Sequence, residues 1–237
     1  APMSDNAAPL VLLTRPRDAS DRFAAAWRAE HGPVAVSILP LMEIAPLGGT
    51  LDLDGVSALI FTSAAGVGVF AGLTQDRSLP AWCVGDRTAE AARDIGLRAT
   101  SAGGDAEALV ALMTRARPTG RLLHLHGAHV SVDLAERLTR AGLRAEARAI
   151  YDQVQIPQGD AFAAALSHDG PVIAPLFSPR SARLFAEAAG VAPGVCAVAL
   201  SPAVRDALPS DLAAHAVVAD SPDAPAMIRA IGALISP

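Results

Sequence analysis

The sequence is poor in the patterns that announce the commoner chemistries. No G-x-G-x-x-G follows an apolar run, and there is no Walker-type phosphate loop, no G-x-S-x-G elbow, no C-x-x-C and no H-E-x-x-H. Dinucleotide chemistry, nucleotide hydrolysis, serine-elbow hydrolysis and zinc peptidase activity are thereby disfavoured. Cysteine is scarce. Cys83 and Cys196 both fall inside apolar runs, where a thiol behaves as a small buried hydrophobe, so free thiols are expected rather than a disulfide. No apolar stretch reaches about 18 residues, so no transmembrane helix is expected. The opening Ala-Pro-Met-Ser-Asp-Asn lacks a basic region followed by an apolar one, which predicts no secretory signal; Ala1 and Pro2 ahead of Met3 read as an added remnant. The expected location is cytoplasmic.

Aromatic residues make up only 4% of the 237, while alanine and glycine are abundant, a composition that favours helices packed closely on sheets through small side chains. With 51% hydrophobic and 18% charged residues the chain is ordinary for a packed globule, and long enough for one large or two small domains. A formal net charge of −5 argues mildly against nonspecific nucleic-acid binding. It leaves an anionic small ligand open, because a local ring of donors decides that.

What is present is an internal echo. Ala58-Leu-Ile-Phe-Thr-Ser-Ala-Ala-Gly-Val-Gly-Val-Phe70 returns in degenerate form as Pro175-Leu-Phe-Ser-Pro-Arg-Ser-Ala-Arg-Leu-Phe185, with Ser63 matching Ser178 and Phe70 matching Phe185. Each copy is an apolar run that stops at small hydroxyl residues and gives way to an apolar-periodic segment, which predicts buried strand, tight turn and helix. The next unit is echoed too, Cys83-Val-Gly-Asp-Arg-Thr-Ala89 against Ala197-Val-Ala-Leu-Ser-Pro-Ala203. Two related halves follow, with a site expected between them.

Read in order, the chain predicts a β-α-β unit over the first forty residues: strand from Leu10, helix carrying Phe23 and Trp27, strand from Val34 to Leu39. The stretch from Leu39 carries prolines at 40 and 46, so an extended connector or edge ribbon is expected there. Strand and helix patterns then alternate, with strands at 58–61, 82–84, near 98 and at 122–126, and helices from about Ala64, Thr88, Ala106 and Val132. A second extended crossing runs from Arg144 to Ile156. Helices from Asp160, Arg180, Ala203 and about Pro222 alternate with strands at 172–177, 195–200 and 215–219. This alternation predicts α/β architecture, parallel sheets with helices on both faces, whose ligands bind beyond the carboxyl ends of the strands. Thr14, Arg15, Thr62, Ser63, Gly85 to Thr88, Gly127, Ser178 and Ser201 all fall there.

Each of these residues has two readings. The hydroxyls at 62, 63, 88, 178 and 201 suit helix N-caps as well as ligand contacts, and the two are compatible because the other N–H groups of a first turn still face outward. Arg15, where a strand gives way to a helix, could pair with a carboxylate or stand in solvent. His124, His126 and His129 come nearest to a metal site, but no adjacent acid or thiol completes it, and the cluster is assigned to strand-end packing; no metal is expected. Tyr151 is the single tyrosine, set in Ala149-Ile-Tyr-Asp on the second crossing. A phenol, with a pKa of about 10 in model peptides, stays protonated near neutrality and can donate to a departing oxygen; half-burial at a hinge is the other reading.

Thr14-Arg15-Pro16, Leu59-Ile-Phe-Thr-Ser-Ala-Ala-Gly-Val, Val84-Gly-Asp-Arg-Thr-Ala, Ala149-Ile-Tyr-Asp and Phe177-Ser-Pro, in this order and spacing, resemble the uroporphyrinogen-III synthase family over almost the whole chain. The resemblance implies two similar doubly wound parallel-sheet (flavodoxin-like) domains joined by a two-stranded extended linker, 1–38 with 157–237 and an inserted 41–150, with crossings near 39–47 and 150–157. It implies dehydration and cyclisation of hydroxymethylbilane with inversion of its last ring, no cofactor, Tyr151 assisting the hydroxyl to leave, and Thr14, Arg15, Thr62, Ser63, Thr88, Gly127, Ser178, Arg180 and Ser201 holding the substrate. A monomer with transient hand-over from hydroxymethylbilane synthase is expected, and neither nucleic acid nor membrane as a partner. The chain departs from the family pattern at Val198-Ala-Leu-Ser-Pro-Ala, where Pro202 has no hydroxyl, and at Arg180, where a small hydroxyl residue is frequent. A noncatalytic two-domain sensor of an anionic small molecule is the competing expectation.

Overall fold

The structure is a computed structural model and describes residues 7–129 and 133–235; Ala1, Pro2 and the expected helix start at Val132 lie outside the described residues. In chain order the elements are β1 (Leu10–Leu13), α1 (Arg17–His31), β2 (Ala35–Ile38), β3 (Met42–Pro46), β4 (Val56–Phe61), α2 (Ala64–Leu73), β5 (Pro80–Cys83), α3 (Asp86–Asp94), β6 (Arg98–Ser101), α4 (Ala106–Ala116) and β7 (Arg121–Gly127). They continue as α5 (Leu134–Arg140), β8 (Arg144–Gln155), α6 (Asp160–Leu166), β9 (Val172–Leu176), α7 (Pro179–Ala189), β10 (Val195–Ala199), α8 (Pro202–Arg205), α9 (Ser210–Ala214), β11 (Val217–Val218) and α10 (Ala224–Ile235). The chain divides into one unit of Ala1–Glu43 with Gln155–Pro237 and another of Ile44–Val154.

The discontinuous unit is built on a parallel sheet in the order β11-β10-β9-β1-β2. Its central strands, Leu-Val-Leu-Leu and Val-Ile-Ala-Pro-Leu, are buried throughout, as strands covered on both faces must be. Alternate residues feed opposite cores. Leu10, Leu12, Ala174 and Leu176 pack under α6 to α9, while Val11, Leu13 and Ile173 pack with Phe23 and Trp27 of α1 and Met227 and Ile231 of α10. Pro175 sits in the middle of β9, where a missing N–H is costly. The pairing of β9 with β1 accordingly stops at Val11 and Ile173, whereas its pairing with β10 runs on to Leu176.

The inserted unit carries the order β3-β8-β7-β4-β5-β6. From β8 to β6 the neighbours are parallel. The proline-flanked β3 is confined to the edge, the place where a strand tolerates proline. It runs antiparallel to β8, the Ile156 N–H donating to Leu41 O at 2.9 Å and the Leu47 N–H to Ile150 O at 3.0 Å. The chain enters and leaves the inserted unit along this pair. Leu59, Phe61, Leu123 and Leu125 face α2 and α3; Ala58, Ile60 and Leu122 face α4 and α5. Both sheets are doubly wound, yet they wind in different orders.

Two local expectations shift. The helix after β5 begins at Asp86, because extended Gly85 is its N-cap, and Thr88 is carried into the first turn. The helix expected from Ala203 is one short turn, α8, followed by α9; Pro209, with no N–H to give, separates them. The internal echo is physical. Ser63 caps α2 and Ser178 caps α7, and seven residues on Phe70 and Phe185, each 0% exposed, sit in the core beneath their helices, edge to face with Phe61 and Phe162. Phe70→Ala and Phe185→Ala should each cost about 3 to 5 kcal/mol in denaturant unfolding; a loss below about 1 kcal/mol at either position would contradict this equivalence.

Candidate functional site

In an open parallel sheet, ligands lodge beyond the carboxyl ends of the two strands where the order reverses. That reversal falls between β1 and β9 in the discontinuous unit and between β4 and β7 in the inserted one.

At the second of these, β4 ends at Phe61 and Ser63 takes an extended conformation as N-cap of α2, its Oγ accepting the Gly66 N–H at 3.2 Å. The same oxygen lies 3.0 Å from the hydroxyl of Tyr151, which is 7% exposed on β8. One glycine makes room for this ring and a second lies beside it. A Cβ on Gly127 would stand 2.6 Å from Tyr151 Cε2, and one on Gly66 would be 3.7 Å from Cε1 and 3.3 Å from Leu125 O. The register between β7 and β8 slips at this place, from His126 opposite Ala149 to Gly127 opposite Tyr151, so Ile150 is the extra residue of a bulge. Successive strand residues normally point to opposite faces; here Ile150 and Tyr151 both join the core under α2.

On the other face of the same strand ends, Thr62 Oγ1 meets His124 Nε2 at 3.3 Å. His124 is 2% exposed, and burial, with the adjacent His126 adding to it, pushes its pKa down to about 4 against the opposing pull of Asp133. The imidazole is therefore neutral at pH 7. His126 Nδ1 lies 2.7 Å from Gly127 O; a carbonyl only accepts, so Nδ1 carries the proton. His129 pairs with Asp152 at 3.1 Å. Among the described residues no three histidine, cysteine or acidic side chains converge where a metal ion could be held.

At the β1/β9 reversal the Arg15 guanidinium lies 4.2 Å from the ring centre of Phe177, which meets Phe23 edge-on at 5.3 Å. The Ser20 hydroxyl donates to Arg15 O at 2.9 Å and holds the turn. Ser178 caps α7 reciprocally with Ser181: the Ser181 N–H donates to Ser178 Oγ at 3.1 Å and the Ser178 N–H to Ser181 Oγ at 3.0 Å. Arg180 is half-buried in the first turn of α7.

The structure thus gathers Thr62, Ser63, Gly127 and Tyr151 at one reversal, and Thr14, Arg15, Ser178 and Arg180 at the other. Thr14, 1% exposed, and Thr88 are buried side chains, while Ser201 stands at the start of α8 without a side-chain cap bond. Sequence reasoning missed Gly66, the Phe177 platform beneath Arg15 and the pairing of His124 with Thr62. The i, i+2 spacing of the histidines was visible; the register of β4 against β7 that brings Thr62 to His124 was not.

The family model described as Uroporphyrinogen-III synthase HemD matches residues 21–229. Among solved structures, a uroporphyrinogen-III synthetase from Helicobacter pylori 26695 superposes with a TM-score of 0.70 at 16% identity, covering 96% of this chain and 99% of that one, a likeness in fold. A mutant uroporphyrinogen III synthase from the extremely thermophilic bacterium Thermus thermophilus gives a TM-score of 0.49 at 16% identity over 96% and 98% of the two chains. Among curated proteins there is no match.

Two outcomes follow from the geometry. Gly127→Ala must drive the Tyr151 ring from its slot, at a cost of about 1 to 3 kcal/mol in unfolding free energy, and the near-ultraviolet circular dichroism of the single tyrosine should change with it; an unchanged tyrosine signal would contradict the slot. His124 has its folded pKa below the ordinary value of about 6.5, so the unfolded chain takes the proton first and the stability this residue confers is complete above about pH 6.5 and is lost as the pH falls toward 4. Between pH 7.5 and 5 the wild type should lose on the order of 2 kcal/mol more than His124→Gln in urea unfolding. Equal losses would show that His124 is not held neutral.

Proposed function

This chain belongs to the uroporphyrinogen-III synthase family, and on that footing we propose that it acts as a hydro-lyase that dehydrates and cyclises hydroxymethylbilane, inverting the last ring to give uroporphyrinogen III. Family membership places it in porphyrin biosynthesis with a tetrapyrrole substrate and disfavours the reading as a noncatalytic sensor. No helix is long and apolar enough to cross a membrane among the described residues. We read the protein as a cytoplasmic monomer that receives its substrate by transient hand-over from hydroxymethylbilane synthase.

The observation that carries the mechanism is the phenol of Tyr151, packed over Gly127 at a strand-end reversal with its hydroxyl on the cap of α2. Loss of the substrate's terminal hydroxyl needs a proton, and a protonated phenol at that place supplies it. The C–O bond breaks with its electron pair on oxygen, water leaves, and an azafulvenium cation remains beside a phenolate. The last pyrrole ring attacks this cation through its substituted carbon, the spiro intermediate reopens, and closure through the free carbon releases one proton, which returns to Tyr151. No electrons are exchanged with a carrier, so the reaction as written calls for none.

The eight carboxylates of the substrate need donors. Arg15, braced on Phe177, presents a fork suited to a carboxylate, and Arg180 offers a second. The first turns of α2 and α7 keep N–H groups beyond those that Ser63 and Ser178 satisfy, with helix dipoles of the right sign. Thr62, Ser201 and the backbone of Thr14, Thr88 and Gly127 complete the set. Holding a flexible chain with its ends together is largely positioning, which can be worth about 7 to 11 kcal/mol.

With hydroxymethylbilane as substrate, Tyr151→Phe should lower kcat by about 100-fold to 10,000-fold while KM changes little. Residual product should remain type III, because ring inversion depends on how the chain is held. Full turnover by Tyr151→Phe would remove the acid role.

A further inference from the structure

We propose that Ser63 is a positioning residue for Tyr151: its hydroxyl donates to the phenolic oxygen, turning the phenol's own proton outward and steadying the phenolate once that proton has gone. The inference deepens the function proposed above and rests on it for its catalytic consequence, though not for its geometry.

Three observations carry it. Ser63 Oγ is 3.0 Å from Tyr151 Oη, a distance at which one of the two must donate. Ser63 Oγ already accepts the Gly66 N–H at 3.2 Å. A hydroxyl that accepts one hydrogen bond becomes a better donor, so a relay from Gly66 N–H through Ser63 O–H to Tyr151 is cooperative; with Tyr151 donating instead, Ser63 Oγ would accept twice and its own proton would lose this partner. The field of α2 points the same way. Its positive end lies at Ser63, which favours the hydroxyl hydrogen directed away from the helix, toward the phenol oxygen. The ring lies directly over Gly127, where a Cβ would stand 2.6 Å from Cε2, so this approach to Ser63 depends on the absence of a side chain there.

During the step, the Tyr151 proton passes to the departing hydroxyl oxygen and the C–O electron pair leaves with the water. The negative charge left on Tyr151 Oη then faces the Ser63 O–H and, behind it, the Gly66 N–H. The proton released at ring closure restores the phenol. Ser63 keeps its own proton throughout.

Tyr151 is the single tyrosine of the chain, so the intensity ratio of the tyrosine Fermi doublet in ultraviolet resonance Raman spectra, which distinguishes a phenol that accepts a hydrogen bond from one that donates, reports this residue alone. The wild-type protein without substrate should give an accepting ratio, and Ser63→Ala should move it toward the donor side. A donating ratio in the wild type, or a ratio unmoved by Ser63→Ala, would overturn the proposal whatever the activity. In turnover of hydroxymethylbilane, Ser63→Ala should lower kcat about 10-fold with KM within about twofold, and in a Tyr151→Phe background the same change should cost no more than about twofold. Losses that multiply would show that Ser63 acts independently of Tyr151 and overturn the relay. Ser63→Thr keeps both cap and hydroxyl and should restore the Raman ratio and at least half of kcat. Failure of the wild type to turn over hydroxymethylbilane would sink the proposed function and leave the Raman result to decide the relay by itself.

Discussion

Parallel strands joined by helical crossovers all end on the same edge of their sheet, and most of the arrangement described here depends on that constraint. It brings Thr62 and Ser63 beside Gly127, and Arg15 beside Phe177 and Ser178, although each set is drawn from distant parts of the chain. The two sheets share the constraint but not the winding order, so equivalent sites arise from non-identical topologies. Pro175 sharpens one of them. Its missing N–H ends the β1 to β9 ladder two residues below the strand ends, where the chain would otherwise continue to pair.

Within the inserted unit the same edge carries both the Tyr151 phenol and the means of holding it. The ring of Tyr151 fits only because position 127 lacks a side chain, and Ile150 bulges out of register beside it. The histidines behind it are handled in the opposite way. Burial keeps His124 uncharged with its Nε2 against Thr62, and Gly127 O holds the Nδ1 proton of His126. In the discontinuous unit the cations are arginines, as are all 19 basic side chains of the chain. A planar fork on an aromatic ring suits carboxylates better than a flexible ammonium would.

Most of the fold was legible because its signals are local. Apolar runs ending in hydroxyl residues located β4 with α2 and β9 with α7, and prolines at 40 and 46 marked the edge ribbon. Ser63 and Ser178 were readable as caps for the same reason. What could not be read depends on register. The bulge at Ile150, the glycine slot and the approach of Thr62 to His124 arise from how two strands slide against each other, which no spacing within one strand reveals. Thr14 and Thr88 looked like surface donors because strand ends are usually open; the structure buries both side chains. The break at Pro209 was visible in the sequence, but the separate helix after it carries too few residues to show a period.

The proposed function requires that a linear tetrapyrrole be held so that it closes with its last ring inverted. It is tested most directly by incubating the wild-type protein with hydroxymethylbilane and resolving the uroporphyrinogen isomers formed. The type III isomer is expected as the dominant product, formed faster than the spontaneous type I. Type I alone, at the rate seen without protein, would contradict it.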